Sequence, residues 1–404
     1  MANPFANKHI VLGVTGSVAA YKAVELASKM TQACALVDVI LTESALHFVS
    51  ALQFQSVTGR KAFTDADLWG GESHVVHVNL GHSADLLVIA PVTASTIAKL
   101  ACGLGDNLLS VSALAAGCPI LLAPAMDLGM YQNIATQKNV AILKERGVHF
   151  IGPAEGHLAS GLTGPGRFEE PANILAFIRY LLSQSGPLKG KRFVISAGGT
   201  QEPIDPVRVI TNRSSGKQGY AIAQAALDSG AEVTLVTAPT NLVAPAGVQV
   251  YPVKTAAEML TAILDHSQKA DVLIMAAAVA DFTPSEVAEE KIKKDRSSLT
   301  IELKPTKDIL LEVANRKAKS GFPRIIIGFA AESEQVVQNA TAKVENKKLD
   351  LIVANDISQK ESGFEVDTNR VIFIKKDGSK ESLPILSKYE VAERIIQKIL
   401  PWLV

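Results

Sequence analysis

Several residues able to do chemistry each stand just past a short apolar run. Gly13-Val-Thr-Gly-Ser-Val-Ala-Ala-Tyr-Lys22 reads as a strand end, a turn through Gly16 and Ser17, and a helix start. Backbone N–H groups at such a helix end carry partial positive charge and suit a phosphate. The spacing is not Gly-x-Gly-x-x-Gly, which argues against a dinucleotide fingerprint, and a plain βα turn looks the same. His77 lies within Ser73–Gly81, near a strand, where a lone histidine is more often structural than catalytic. Asp127 lies in Pro124-Ala-Met-Asp-Leu-Gly-Met-Tyr131, and Ser160 in Ala159-Ser-Gly-Leu-Thr-Gly-Pro-Gly-Arg167. A carboxyl that faces another anion is expected to have a raised pKa, and a serine hydroxyl is a weak proton donor.

A second group follows in the other half. Ser196-Ala-Gly-Gly-Thr-Gln-Glu-Pro-Ile-Asp-Pro-Val-Arg208 has glycines that allow close backbone approach to a phosphate and prolines that stiffen the loop. Asn212 and Ser214-Ser-Gly-Lys217 then enter a helix whose start can hold an anion. Ala276-Ala-Ala-Val-Ala-Asp281 puts a carboxylate after a buried strand, with small residues that let a base pack closely. Lys291-Ile-Lys-Lys294 sits in a charged run, Glu286–Arg296, which is either a solvated loop or a set of cations for a polyphosphate. Lys343 and Lys347, four apart, share one helix face. A nicotinamide reductase is a rival reading, but none of the six tyrosines is followed by lysine four positions later.

Alternating apolar runs and helical patterns must position these residues. His9–Gly13, Ala35–Leu41, Asp85–Ala90 and Pro119–Ala123 read as strands buried on both faces, with helices over Val18–Met30 and Ala94–Ala101. Ser183-Gln-Ser-Gly-Pro-Leu188 breaks the pattern as a linker. Strands restart at Arg192–Ser196, Glu232–Val236, Asp271–Met275, Arg324–Gly328 and Asp350–Ala354. Val371–Lys375 and Lys380–Pro384 flank Asp377-Gly378 as a hairpin with a type I′ turn, and a last helix covers Tyr389–Ile399. The expected fold is α/β: two tandem doubly wound, Rossmann-like domains with mostly parallel sheets, over 1–186 and 187–404.

The 404 residues exceed the usual size of one domain, and 48% hydrophobic content supplies sizeable cores. Forty basic and forty acidic residues leave no nucleic-acid footprint and no bulk attraction to a membrane. Cys34, Cys102 and Cys118 have no metal or disulfide spacing, which favours a reducing, cytoplasmic setting. No run approaches the ~18 apolar residues of a spanning helix.

The stretches around Asp127 and Ser160 resemble the substrate motifs of flavin-dependent cysteine decarboxylases. That family usually reads Pro-x-Met-Asn in the first and carries a cysteine as proton donor in the second. His77-Val-Asn-Leu-Gly81 is similar to its catalytic histidine segment. The resemblance makes His77, Asp127 and Ser160 the catalytic positions. It also places Gly16, Ser17, Thr42, Thr93, Ser95 and Asn107 against flavin mononucleotide. The implied chemistry is oxidation at the thiol side of a cysteinyl group, loss of carbon dioxide and protonation of an enethiolate.

The second half resembles phosphopantothenate–cysteine ligase, and the whole chain the bifunctional enzymes of coenzyme A synthesis. By that resemblance Asn212 serves in forming an acyl-nucleotide and Lys291 is the catalytic lysine, on a flap. Ala276, Ala277, Asp281, Lys307, Asp308, Ile309, Leu310, Phe329, Lys343 and Lys347 bind nucleotide or substrate. The match at Lys304–Leu310 is looser. The implied partners are 4′-phosphopantothenate, cysteine and CTP with Mg²⁺, whose protein ligands are unassigned, and further copies of the chain, since family flavin sites form between subunits. Two other readings stay open: a ligase whose flavin domain is only a binding module, and a tandem flavin and nicotinamide oxidoreductase.

Overall fold

The structure, a computed structural model, describes residues 3–69, 75–293, 299–332, 335–356 and 366–403. His74 and Lys294–Arg296 lie outside the described residues. The chain divides into two compact units, Ala2–Leu182 and Ser183–Val404 with Met1.

The first unit is built on strands β1 (His9–Val14), β2 (Leu36–Leu41), β3 (Ala62–Thr64), β4 (Leu86–Val92), β5 (Ile120–Pro124) and β6 (His149–Phe150). Every pair in the order β3-β2-β1-β4-β5-β6 is parallel. Helices α1 (Ala20–Gln32), α2 (Ala51–Thr58), α3 (Val76–Ser83), α4 (Ala94–Cys102), α5 (Leu108–Ala115), α6 (Leu128–Gln132), α7 (Ile134–Glu145) and α8 (Pro171–Ser183) complete it. Each central strand is apolar on both faces and feeds two cores. Ile10, Leu12 and Val88 point into one with Leu26 and Ile178, while Val11, Ile89 and Leu122 point into the other with Ile97 and Leu109. A two-sided parallel sheet requires such runs. After α7 the chain forms an antiparallel hairpin, β7 (Ala154–His157) and β8 (Thr163–Arg167), with Ser160 in its turn.

The second unit repeats the plan. Its strands begin with β9 (Arg192–Ala197), β10 (Gln201–Pro203), β11 (Val209–Thr211), β12 (Glu232–Thr237) and β13 (Gln249–Pro252). Next come β14 (Val272–Met275), β15 (Phe282–Pro284), β16 (Leu303–Pro305), β17 (Ile325–Glu332) and β18 (Leu351–Asp356). Last are β19 (Thr368–Asn369), β20 (Val371–Lys375), β21 (Lys380–Ser382) and β22 (Leu386–Ser387). The main sheet runs β13-β12-β9-β14-β17-β18-β20-β21, parallel as far as β18, then antiparallel. Helices α9 (Lys217–Asp228), α10 (Ala256–His266), α11 (Ile309–Ser320), α12 (Val336–Asn346) and α13 (Lys388–Ile399) belong to it. Helix α9 lies close on β9 because Gly219 has no side chain; a Cβ there would stand 2.6 Å from that of Ala197.

One local expectation is corrected. The β20–β21 hairpin forms, but of its turn residues only Gly378 has positive φ, at 80°. A type I′ turn needs two such residues. The loop instead closes with Gly378 N–H on the Lys375 carbonyl, and Asp377 accepts from Ser379 N at 2.8 Å. The Ser183–Leu188 segment lies at the boundary between the two units and is tied to the second. Leu188 N donates to the Ser229 carbonyl at 2.8 Å, and a Cβ on Gly186 would lie 2.3 Å from that same oxygen.

Candidate functional sites at two strand-order reversals

In the first sheet the strand order reverses between β1 and β4, so their following loops part and leave a crevice at the carboxyl edge. The Thr15 hydroxyl fixes the two loops together, donating to the Pro91 carbonyl at 2.8 Å and accepting from Thr93 N at 3.0 Å. Gly16 and Ser17 follow β1, and α1 starts without a side-chain cap, its Ala20 and Lys22 N–H groups bonding the Ser17 and Ala19 carbonyls. Thr93 caps α4, with Ser95 exposed in its first turn, while Thr42 is buried after β2 and caps a short turn. Asn107 caps α5, its side-chain oxygen accepting from Ser110 N at 2.8 Å.

His77 stands in the first turn of α3 rather than near a strand. As a crossover helix between parallel strands, α3 presents that turn at the carboxyl edge. The Nδ1 of His77 is buried and has no hydrogen-bond partner among the described residues. A buried polar atom left without a partner is costly, so it marks a place for a bound group. The donor set suits a flavin nucleotide: hydroxyl, amide and imidazole groups that follow β2 and β4 or stand at the α3 and α5 starts, with one buried imidazole nitrogen left without a described partner.

Asp127 follows β5, which makes it a neighbour of the same edge, and it caps α6 by accepting from Gly129 N at 2.8 Å. The β7–β8 hairpin docks beside it, with Met126 N on the Gly166 carbonyl at 3.0 Å. Ser160 and Asp127 are brought together: the exposed serine lies near enough to Asp127 for its hydroxyl to favour the ionised carboxyl. The raised pKa expected at Asp127 is therefore corrected. The Ser160 hydroxyl first, and then the Gly129 N–H, hold its carboxyl below the ordinary range, because both stabilise the anion.

The second sheet reverses between β9 and β14. Here two buried hydroxyls hold the loops: Ser196 accepts from Ala277 N at 3.0 Å and Thr200 from Ala280 N at 2.9 Å. The chain pairs again at Ala278 N to the Gly198 carbonyl, 2.9 Å, and Thr200 N to the Ala278 carbonyl, 3.2 Å. A cleft of about 640 Å³ opens over these loops. It gathers Asn212, Ala276, Ala277, Asp281, Lys307, Asp308, Ile309, Leu310, Phe329, Lys343 and Lys347, so all these predicted residues share one wall system. Asn212 is held across it by an Nδ2 bond to the Val279 carbonyl at 3.1 Å. Lys347 caps the end of α12, with Lys343 one turn earlier, and pairs with Asp308 at 3.0 Å. Six basic residues line the cleft against two acidic ones, a balance suited to a polyanion.

Lys291 is exposed and does not line the cleft. Its segment leaves β15 and returns through β16, which are paired with each other. The base of this flap is pinned by the buried Asp205, which accepts from Ile292 N at 3.2 Å and from Arg208 Nε at 2.9 Å. Arg208 closes the clamp with Nη2 on the Ile292 carbonyl at 3.0 Å. The guanidinium and the surrounding N–H groups hold Asp205 far below the usual carboxylate range, so the clamp stays charged. Sequence reasoning missed this clamp, the Thr15 bridge, and Asn369 and Lys388 in the cleft, while Lys217 lies in the Ser214–Lys217 helix start that it singled out. The only signal for the clamp was Asp and Arg three residues apart between prolines.

Two doubly wound units, each with a ligand crevice at its strand-order reversal, define a tandem nucleotide- and flavin-type enzyme. Residues 3–183 match the family described as flavoprotein, and residues 188–403 the DNA/pantothenate metabolism flavoprotein C-terminal domain. The coenzyme A biosynthesis bifunctional protein CoaBC of Bacillus subtilis is 45% identical over 97% of this chain and 97% of its own. Its namesakes from Mycobacterium tuberculosis and Vibrio cholerae are 43% and 41% identical, each over 98% of this chain and 97% and 98% of their own. A solved C-terminal domain of a protein of that name is 43% identical over 54% of this chain and 98% of its own, with a TM-score of 0.46. The chain belongs to the family of bifunctional coenzyme A biosynthesis flavoproteins.

Proposed function

We propose that the second unit joins 4′-phosphopantothenate to cysteine at the expense of CTP, and that the first decarboxylates the product to 4′-phosphopantetheine with flavin mononucleotide. The observation that carries this reading is one cationic cleft uniting the predicted ligase residues, in a chain 45% identical end to end to a bifunctional coenzyme A biosynthesis protein. The reading includes a cytoplasmic homo-oligomer.

In the ligase cleft, small residues Ala276 and Ala277 and the ring of Phe329 suit a flat base, and Asp281 a ribose hydroxyl. The acceptor carboxylate attacks the α-phosphorus and pyrophosphate leaves; cysteine's amine then attacks the acyl carbon and CMP leaves. Asn212, fixed to Val279, orients the carboxylate for the first step. Lys307, Lys343 and Lys347 offset the triphosphate, and Lys291 reaches the reacting phosphate when the flap folds over the cleft. Mg²⁺ comes with the nucleotide phosphates, as it commonly does; among the described residues no cluster of three carboxylate, thiol or imidazole groups is placed to hold a metal.

In the first unit the Gly16–Ser17 turn holds a phosphate, and Thr42, Thr93, Ser95 and Asn107 hold the rest of the flavin nucleotide. When bound there, flavin supplies two-electron redox chemistry. His77 manages a proton at the thiol side of the substrate. The paired Asp127 and Ser160 orient the substrate end beside the hairpin, with Ser160 or ordered solvent closing the proton balance.

Purified protein given 4′-phosphopantothenate, cysteine and CTP tests the reading by mass spectrometry of the products. Phosphopantetheine with carbon dioxide release supports both halves. Accumulation of phosphopantothenoylcysteine by yellow protein removes the decarboxylase half, and absence of both products removes the reading.

A further inference from the structure

We propose that Asn369 is a specificity residue of the cleft: its Oδ1 accepts a hydrogen bond from a neutral O–H or N–H group of CTP or 4′-phosphopantothenate, with Gln218 fixing its orientation. This rests on the ligase reading of the cleft. Asn369 lies outside every motif read from the sequence. It belongs to β19, where Thr368 and Asn369 pair antiparallel with Ser387 and Leu386 of β22. That ladder ends where α13 begins. Ser387 and Glu390 fix the helix start with a capping box, Ser387 N to Glu390 at 2.8 Å and Glu390 N to Ser387 at 3.2 Å. The backbone that carries Asn369 is therefore held before any ligand arrives.

A relay of three groups sets the direction of its side chain. The backbone carbonyl of Lys388, the first residue of α13, accepts from Gln218 Nε2 at 3.0 Å. A carbonyl can only accept, so Gln218 must turn its amino group towards it and its oxygen away. That oxygen, Oε1, accepts from Asn369 Nδ2 at 2.8 Å. Asn369 thus gives its amino group to the protein and keeps its oxygen for the cleft. The two ends of a carboxamide have nearly the same shape, and here the carbonyl at the far end of the relay decides which is which. Asn369 lines the cleft and is only 4% exposed, and its Oδ1 is buried with no partner among the described residues.

A buried acceptor without a donor is costly, and native proteins keep few of them. The cost is removed when a ligand brings a donor into the cleft. A neutral carboxamide does not offset a buried charge, so the donor that suits it is neutral rather than an ammonium. Cysteine's amine, when protonated, is thereby set aside. CTP offers ribose hydroxyls and the amino group of its base, and 4′-phosphopantothenate a secondary hydroxyl and an amide N–H. The recognition chemistry is shared, and experiment separates the sources. Gln218, the second residue of α9, also lines the cleft, so the relay ties the reading group to the helix start that follows Asn212. A site built to accept from a donor rejects look-alikes that lack it, because the acceptor is then left unpaired.

The test uses the full chain with Asn369→Leu, Asn369→Ala and Gln218→Met, and ligase kinetics varying each substrate in turn. Leucine keeps much of the shape of asparagine and removes the acceptor. It should raise the KM of CTP or of 4′-phosphopantothenate about three- to tenfold, the usual weight of one hydrogen bond between neutral groups, with cysteine's KM unmoved. In the wild type, an analogue of that substrate lacking the matching donor should show a similar or larger rise. Asn369→Leu should no longer distinguish the analogue from the natural substrate. Gln218→Met lets the carboxamide turn over and present its amino group, so the same KM should rise by a smaller factor while kcat is kept. A merely structural Asn369 gives a lower melting temperature with unchanged KM values, or equal losses for substrate and analogue, and either result overturns the proposal.

If a deoxyribose analogue of CTP, or UTP, loses its penalty in Asn369→Leu, the donor is a ribose hydroxyl or the base amino group. If the 4′-phosphopantothenate analogue without the secondary hydroxyl, or with an ester in place of the amide, loses its penalty, the donor belongs to the acid substrate. KM values all within about twofold of wild type in folded Asn369→Leu overturn the proposal, as does a rise confined to cysteine. If Asn369→Leu does not fold, Asn369→Ala carries the same comparison. If neither variant of Asn369 folds, unchanged KM values in Gln218→Met overturn it. A wild type that makes no ligated product removes the ligase reading instead. Calorimetric binding of CTP and of 4′-phosphopantothenate to wild type and Asn369→Leu then still decides the role of Asn369, equal affinities for both ligands overturning it.

Discussion

At the carboxyl edge of the first sheet one hydroxyl, Thr15, joins the loops that flank the crevice, whereas in the second sheet Ser196 and Thr200 each take an N–H of the opposite loop. The surroundings differ more. The residues expected at the first are neutral caps, Thr42, Thr93 and Asn107, with one histidine nitrogen unpartnered among the described residues. The second is ringed by lysines and bordered by a flap clamped at Asp205 and Arg208. The same strand order fixes where each site lies; the loops decide whether it suits a flat redox group or a polyphosphate.

Substitutions confined to one unit should sharpen this contrast. The largest effect is expected from His77→Asn. Decarboxylation should fall at least ~10²-fold, the usual weight of a positioned acid or base, while ligation is unchanged. The flavin absorbance should remain, and a colourless variant would show that His77 holds the cofactor rather than moves a proton. Lys291→Gln should give the mirror result, with ligation down about 10²–10³-fold, decarboxylation of supplied phosphopantothenoylcysteine intact and the melting temperature unchanged. Near wild-type ligation by this variant would leave the flap without a catalytic role.

A smaller, graded effect belongs to Asp127 and Ser160. Ser160→Ala removes the leading donor to the carboxylate, so the pKa of Asp127 should rise and the acid limb of the decarboxylation profile should move to higher pH. Asp127→Asn should flatten that limb. The double variant should depart from the product of the single effects if the two side chains act on one substrate; independent effects would mean that the pair does not.

The smallest effect concerns the ends of the first sheet's strands farthest from its crevice, where Asp38 accepts from His9 Nε2 at 2.6 Å and from Arg60 Nε at 2.6 Å. The Asp38 carboxylate raises the pKa of His9 despite burial. Burial pushes Asp38 up, but bonds from His9 and Arg60 outweigh it and hold it low. A raised histidine stabilises fully below its unfolded value, roughly 6.5, and loses that contribution as pH rises through its folded value. A lowered aspartate stabilises above roughly 4 and loses that contribution as pH falls through its folded value. The urea midpoint of the first unit should thus be highest at about pH 4–6.5 and decline above it, and His9→Gln should flatten the alkaline decline. An equal decline in the variant would assign it elsewhere.

Much of this could be seen in the residues themselves. The central strands are apolar on both faces, as at Leu86–Ala90 and Ile325–Ile327, and such runs leave no other fold for alternating helices. The edge strands β3, β6 and β13 escaped because two to four residues, partly exposed, carry no period. The ligase wall was legible through glycines, small residues and lysines next to strand ends. Lys388 was not, since it enters the cleft through a bond to Gln218, 170 residues earlier, and its own neighbourhood reads as an ordinary helix start. That Asp127 and Ser160 act together could be expected only through the resemblance: a hairpin turn returns to a helix cap, and nothing local announces it.

The seat of Gly186 on the Ser229 carbonyl bears on how the two halves could be separated. The turn from Ser183 to Leu188 belongs to the second half, although by composition it looks like expendable tether. A scission placed after Leu188 would strip the carbonyl of Ser229 of its donor and expose the end of α9, the helix whose other end borders the cationic cleft. A free-standing ligase half should therefore begin at or before Ser183, and insertions meant to lengthen the tether will be resisted at Gly186, where any side chain meets backbone.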